Sequence, residues 1–254
     1  LTVLPLNGGH AVFVNDGGSV GNLLVDCGDT NSVEFITRPF LHGQGVNRLP
    51  RLALTQGDLR DMGGAQEVCD GFSIAQVFTS PVRFRSSIYR QTLAAMDTQT
   101  NRHQIVERGS VIGNWQVLYP AATNRYSQAD DNSLVLRGQL HGATILLLSD
   151  LGRTGQEDLF NQTNDLRADI VVVGLPEKVQ PLNDALLEKI QPRIIIIADS
   201  EFPATKRAPA ALRERLARQN IPVLYARKAG AVTLVAKPDG WELRTMDGQK
   251  FHGP

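Results

Sequence analysis

The 254-residue sequence predicts an α/β architecture of two mixed β-sheets covered by helices. Three observations predict it. Apolar, β-branched runs of strand length alternate with helical stretches along the whole chain. Two segments read instead as antiparallel: 132–150 as a hairpin turning near His141-Gly142, and 222–246 as a strand meander, which a single parallel sheet does not accommodate. No long linker, low-complexity tract or repeat interrupts the pattern, so 1–254 reads as one domain.

Strands are expected at 11–14, 22–28, 51–55, 74–80, 114–120, 133–139, 143–150, 169–174, 193–199, 222–226, 231–236 and 240–246, where Val, Ile and Leu runs are bounded by Gly, Asp and Asn. Helices are expected at 31–44, capped by Asn31, and at 86–99, 154–162, 181–190 and 209–219. In the last, Leu212 and Leu216 repeat at i, i+4 with arginines opposite. The polar stretch 97–113 reads as a loop over one edge. Glycine pairs at 7–9, 16–21 and 61–64 match neither a P-loop nor G-x-G-x-x-G and read as turns needing positive φ.

Composition narrows the function classes. The chain is 42% apolar and 20% charged, with zero formal net charge, so no global field favours nucleic acid or an anionic membrane. No apolar run reaches the roughly 18 residues of a membrane span. The chain opens on Leu1, without an initiator Met or a visible signal peptide, and reads as a piece of a longer protein. Cys27 and Cys69 form no CxxC and no disulfide framework; free, buried thiols are expected, with one disulfide as the alternative. No G-x-S-x-G elbow is present.

A series of segments carries a resemblance. "LNGGHAVFV" (6–14), "NLLVDCGDT" (22–30), "DDNSLVLRGQLHGATILLLSDLGRTGQEDL" (130–159), "ADIVVVG" (168–174), "IQPRIIIIADS" (190–200), "LRERLARQNIPVLYARKAGAVTL" (212–234) and "GWEL" (240–243) follow one another in the order and spacing of a known family. They resemble the metallo-β-lactamase superfamily, and within it the C-terminal extracytoplasmic domain of ComEC-type competence channels for DNA uptake. That resemblance implies an αββα sandwich, and a soluble domain of a membrane protein outside the cytoplasmic membrane, joined to the channel portion of the same longer chain. It also implies a metal site on the loop after the strand at 51–55.

In the family that loop carries His-x-His-x-Asp-His, whose donors hold zinc or manganese and leave one position for an activated water. Here "ALTQGDLRDMGGAQ" (53–66) places Gln56, Asp58, Arg60 and Asp61 on those positions. A Gln amide is a poor zinc ligand, and a guanidinium stays charged and coordinates no cation. Asp150 matches the family's bridging Asp, and Leu175 stands where a late His ligand is expected. Two readings follow. In one, Asp58, Asp61 and Asp150 hold Mg²⁺ or Mn²⁺, with Zn²⁺ disfavoured. In the other, the one favoured here, no metal is held and Arg60 pairs with these carboxylates, relieving their mutual repulsion. His10, in "NGGHA", is a further candidate ligand or acid/base group, or an ordinary polar residue.

"RFRSSIYR" (83–90) interleaves Arg83, Arg85 and Arg90 with Phe84 and Tyr89, a set able to grip phosphates and stack a base of single-stranded DNA. A second basic stretch is 206–219. A solvated helix face is the alternative for both. The function expected is a competence-channel domain with lost or reduced hydrolase activity and a DNA-guiding or scaffold role. An active nuclease or phosphodiesterase, and a protein-interaction module of the same fold, remain the alternatives.

Overall fold

A computed structural model describes residues 1–16, 18, 21–97 and 102–254. Its strands are β1 (Thr2–Val3), β2 (Val12–Val14), β3 (Leu23–Val25), β4 (Arg51–Leu54), β5 (Gln76–Thr79), β6 (His103–Ile105), β7 (Val111–Ile112) and β8 (Trp115–Tyr119). Then come β9 (Val135–Leu140), β10 (Ala143–Leu147), β11 (Ile170–Val173), β12 (Ile194–Ile197), β13 (Val223–Tyr225), β14 (Val232–Lys237), β15 (Gly240–Thr245) and β16 (Lys250–Gly253). The helices are α1 (Thr30–Ser32), α2 (Arg38–Gly43), α3 (Leu59–Met62), α4 (Ala65–Gly71), α5 (Ser87–Asp97), α6 (Arg153–Gln162), α7 (Asp184–Ile190), α8 (Ala210–Ala217) and α9 (Ala226–Ala229). A π-helical stretch, Val33–Thr37, joins α1 to α2.

The strands form two sheets, ordered β16-β15-β14-β1-β2-β3-β4-β5-β6 and β13-β12-β11-β10-β9-β8-β7. Both are mixed. β3 to β6 and β10 to β13 run parallel, while β7 to β10 and the remaining neighbours of the first sheet run antiparallel.

Period-two geometry sorts the strand residues into layers. Val12, Val14, Leu23 and Val25 meet Ile145, Leu147, Val172 and Ile196 in the core between the sheets. Their neighbours Phe13 and Leu24 pack outward with Val33, Leu41 and Val68. On the other side Leu146, Val171, Ile195 and Ile197 pack with Leu159, Leu186, Leu212 and Leu216. β11 (IVVV) and β12 (IIII) are apolar throughout because both of their faces are covered. The result is the αββα sandwich that the resemblance implies.

The hairpin expected at 132–150 forms as β9 and β10, with Leu140 paired to Ala143 and both turn residues at positive φ (His141 55°, Gly142 84°). That is the backbone a two-residue hairpin loop requires. Other expectations need correction. The meander at 222–246 divides between sheets: β13 pairs parallel to β12, and α9 then carries the chain across to β14 and β15. The expected loop 97–113 contains β6 and β7, while residues 98–101 lie outside those described; so do the last two residues of the helix expected at 86–99. The cap of the first helical run is Asp29, whose carboxylate accepts the Ser32 N–H at 2.7 Å, not Asn31. Gly63 and Gly64 have negative φ; a Cβ on Gly64 would lie 2.3 Å from Val33 Cγ2, so close packing rather than turn conformation calls for glycine. Within 16–21, residues 17, 19 and 20 lie outside those described. Both cysteines are free thiols, Cys27 buried and Cys69 half-buried.

Candidate active site

β3, β4, β10 and β11 end at one rim of the sandwich, and the residues just beyond them converge. Asp26 follows β3, Thr55 to Asp58 follow β4, Ser149 and Asp150 follow β10, and Gly174 and Leu175 follow β11. Asp26 is completely buried. Its Oδ1 accepts the Thr55 N–H at 2.8 Å and its Oδ2 the Thr55 hydroxyl at 2.6 Å. The same hydroxyl lies 2.7 Å from Ser149 Oγ, and Leu134 N–H donates to the Thr55 carbonyl at 2.9 Å, so the two sheets are stitched together at this point.

His10 is wedged between two buried carboxylates. Its Nε2 is 2.8 Å from Asp26 Oδ2 and its Nδ1 2.9 Å from Asp61 Oδ1, ion-pair contacts in which neither ring N–H is aimed well enough at its oxygen to form a hydrogen bond. The His10 backbone N–H reaches Asp61 Oδ1 at 3.0 Å. Burial works against an imidazolium here, but the charges of Asp61 and Asp26 outweigh it and hold the His10 pKa well above its ordinary value. Gln56, also buried, donates its amide to Asp61 Oδ2 at 2.7 Å.

Lys206 supplies the second internal cation. Its ammonium contacts Asp150 Oδ2 and donates to the Leu175 carbonyl at 2.9 Å, with 4% of the side chain exposed. Burial opposes its charge; Asp150, then Asp61, more than offset this and raise its pKa. A Cβ on Gly174 would lie 1.8 Å from Asp150 Oδ1, so glycine alone lets this carboxylate rest on the β11 terminus. At the rim, Asp130 Oδ2 accepts the Glu177 N–H at 2.9 Å. Burial, reinforced by Asp150 and Glu177, raises its carboxyl to about 7 against the pull of that hydrogen bond and Lys206.

The expected residues are therefore brought together, with different partners. The cation expected among the carboxylates was Arg60. Among the described residues Arg60 makes no ion pair; its backbone N–H donates to Asp58 Oδ1 at 2.9 Å, and its Cδ lies 3.3 Å from where a Gly8 Cβ would sit. Asp58 is the N-cap of α3 and is committed to that helix. The pairing cations are Lys206 and His10. Lys206 belongs to the basic stretch 206–219 that reads as a solvated face, yet it is buried because the Ser200 N–H bonds its carbonyl at 2.8 Å and folds the loop back over the site. No periodicity marks that loop. Asp26, Thr55, Ser149 and Asp130 also escape the sequence reading, although Asp26 closes the apolar run of β3 in an acidic turn.

The donor set does not suit the metal that such a fold implies. An ammonium holds Asp150, an imidazolium holds Asp26 and Asp61, and an amide N–H holds the remaining Asp61 oxygen. Among the described residues, no group of three His, Cys, Asp or Glu is disposed to hold an ion.

Beside this centre lies a cleft of about 770 Å³, lined among others by Arg83, Arg85, Arg125, Tyr126, Asp130 and Glu177. Phe84 also lines it and Tyr89 does not, and both rings are largely buried. They are 6% and 2% exposed, in edge-to-face contact with centroids 5.2 Å apart, and belong to the core beneath. That burial leaves little of either ring for a base to stack on. Arg90 is exposed on α5, outside the cleft lining.

No family model matches the chain. It is 22% identical over 249 residues to ComE operon protein 3 of Bacillus subtilis (strain 168), covering 91% of this chain and 32% of that protein, about a third of its length. Among solved structures, a metal-dependent hydrolase of the β-lactamase superfamily aligns over 93% of this chain and 99% of its own with a TM-score of 0.57 at 12% identity. A diphosphatase from the PhnP family aligns over 89% and 85% with a TM-score of 0.51 at 13% identity. The chain has the fold of the metallo-β-lactamase superfamily.

Proposed function

We propose that this chain is an extracytoplasmic domain of a DNA-uptake protein in which the hydrolytic centre has been replaced by internal ion pairs. The carrying observation is Lys206, buried with its ammonium on Asp150 and on the carbonyl of Leu175. An ammonium supplies charge but offers no coordination position, so it binds and activates no water in the manner of a metal. The similarity to ComE operon protein 3, and the segments shared with competence-channel domains, support the DNA-uptake reading. Among the described residues no helix is long and apolar enough to cross a membrane. The domain then guides DNA or holds partner surfaces instead of cutting.

The test is metal analysis of the purified chain after exposure to Mn²⁺, Mg²⁺ or Zn²⁺, together with a nuclease assay on single- and double-stranded DNA in each. Neither stoichiometric metal nor cleavage is expected. Metal retained at one equivalent, with cleavage abolished by Asp150→Ala, overturns the proposal in favour of an active phosphodiesterase.

A further inference from the structure

Some arginines of this protein are paired with a carboxylate and others are not. Arg137, Arg193, Arg207, Arg215, Arg227 and Arg244 each lie within ion-pair distance of an Asp or Glu. The three that line the cleft do not. Among the described residues, Arg83, Arg85 and Arg125 have no carboxylate partner; Arg125 is steadied only by the Asn124 carbonyl, at 2.6 Å.

Their placement is built into the fold. Phe84 is a core residue, and a Cβ on Gly57 would lie 2.4 Å from Phe84 Cβ, so the loop after β4 packs directly onto it. With Phe84 pinned inward, its exposed neighbours Arg83 and Arg85 stand beside the same loop that carries Asp58. Arg125 comes from a separate segment, ahead of the turn containing Asp130. Asp130 and Glu177 add hydrogen-bond acceptors to the same cleft. Guanidiniums match phosphate oxygens in planar, two-pronged geometry, and a concavity of this size suits one nucleotide unit.

We propose that this cleft binds the phosphate of a nucleotide unit through Arg83, Arg85 and Arg125, with Asp130 and Glu177 accepting hydrogen bonds from its sugar or base. This rests on the DNA-guiding reading and gives it an address. The unit comes from a single strand or from a free nucleotide, and the chemistry recognised is the same.

A short fluorescein-labelled oligothymidylate is titrated with the full chain at several salt concentrations, following anisotropy. Thymidine monophosphate and polyglutamate serve as competitors. Arg83→Ala/Arg85→Ala/Arg125→Ala is expected to weaken binding about tenfold or more and to lower the salt slope by about 2. Arg85→Gln, a smaller change, shifts affinity in the same direction. Arg90→Ala and Arg213→Ala, exposed arginines outside the cleft, leave it unchanged. Competition by thymidine monophosphate at equal phosphate identifies the free nucleotide as the source; its failure to compete identifies the strand. The proposal is overturned by no binding at low salt, by equal loss in the control variants, or by polyglutamate competing as well as the nucleotide. Metal-dependent cleavage by the wild-type chain would sink the inert-centre reading and leave the cleft standing, whereas absence of oligonucleotide binding would do the reverse.

Discussion

A buried ammonium and a buried carboxylate are stable only as a pair, because each alone carries an uncompensated desolvation cost. Lys206→Ala strands Asp150 and is expected to destabilise the fold by about 3–5 kcal/mol in urea unfolding, with Lys206→Met/Asp150→Asn recovering much of that loss. His10 adds a pH signature. Its folded-state pKa lies well above 6.5, so the stabilisation it brings is complete below about pH 6.5 and is lost as pH rises through the raised value. His10→Gln should flatten that alkaline decline. Asp130 acts in an acidic window: its carboxyl rises from 3.8 to about 7 on folding, so stability falls as pH climbs between those values. Asp130→Asn should remove this slope while keeping an acceptor for Glu177, as unfolding at a series of pH values would show. Sequence placed Asp61 and Asp150 beside the site, together with Gln56 and His10, but not the lysine that pairs with Asp150. Arg60 is close in sequence and points elsewhere; Lys206 is remote and arrives through a loop whose return depends on tertiary contacts.

Elements were legible in proportion to their length and burial. β11 and β12 announce themselves because runs of Val and Ile are covered on two faces. β6 and β7 have two or three residues each, too short for a period to register. β13 reads as a strand, but nothing local tells which sheet it joins. Caps are similarly ambiguous: Asp29, Thr30 and Asn31 are all capping types, and the geometry chooses Asp29. The cap of α7 tests the same physics, since Asn183 Oδ1 accepts the Leu186 N–H at 2.8 Å. Asn183→Ala should cost about 1 kcal/mol in thermal or chemical unfolding. The aromatic pair in "RFRSSIYR" shows another limit. Alternation with arginine fits a stacking platform and a core plug equally well, and Phe84 serves as the plug.

At the scale of the whole molecule, both sheets depend on one polar seam, running from His10 through Asp26 and Thr55 to Ser149, at the rim where a hydrolase of this fold would keep its ions. The architecture was readable because it follows from order and alternation; the seam was not, because it joins residues from four separate segments. Since no ion contributes to folding in this reading, prolonged EDTA treatment should leave the thermal midpoint unchanged, where a structural metal would lower it. A marked drop on chelation, reversed by one added divalent ion, would contradict that expectation. The lysine on Asp150 also changes when the rim can close. A tethered cation has no dissociation constant and no concentration dependence, and it emerges from the ribosome with the loops it must hold. In the proposed reading, such a domain matures at the same pace in a metal-starved medium as in a rich one.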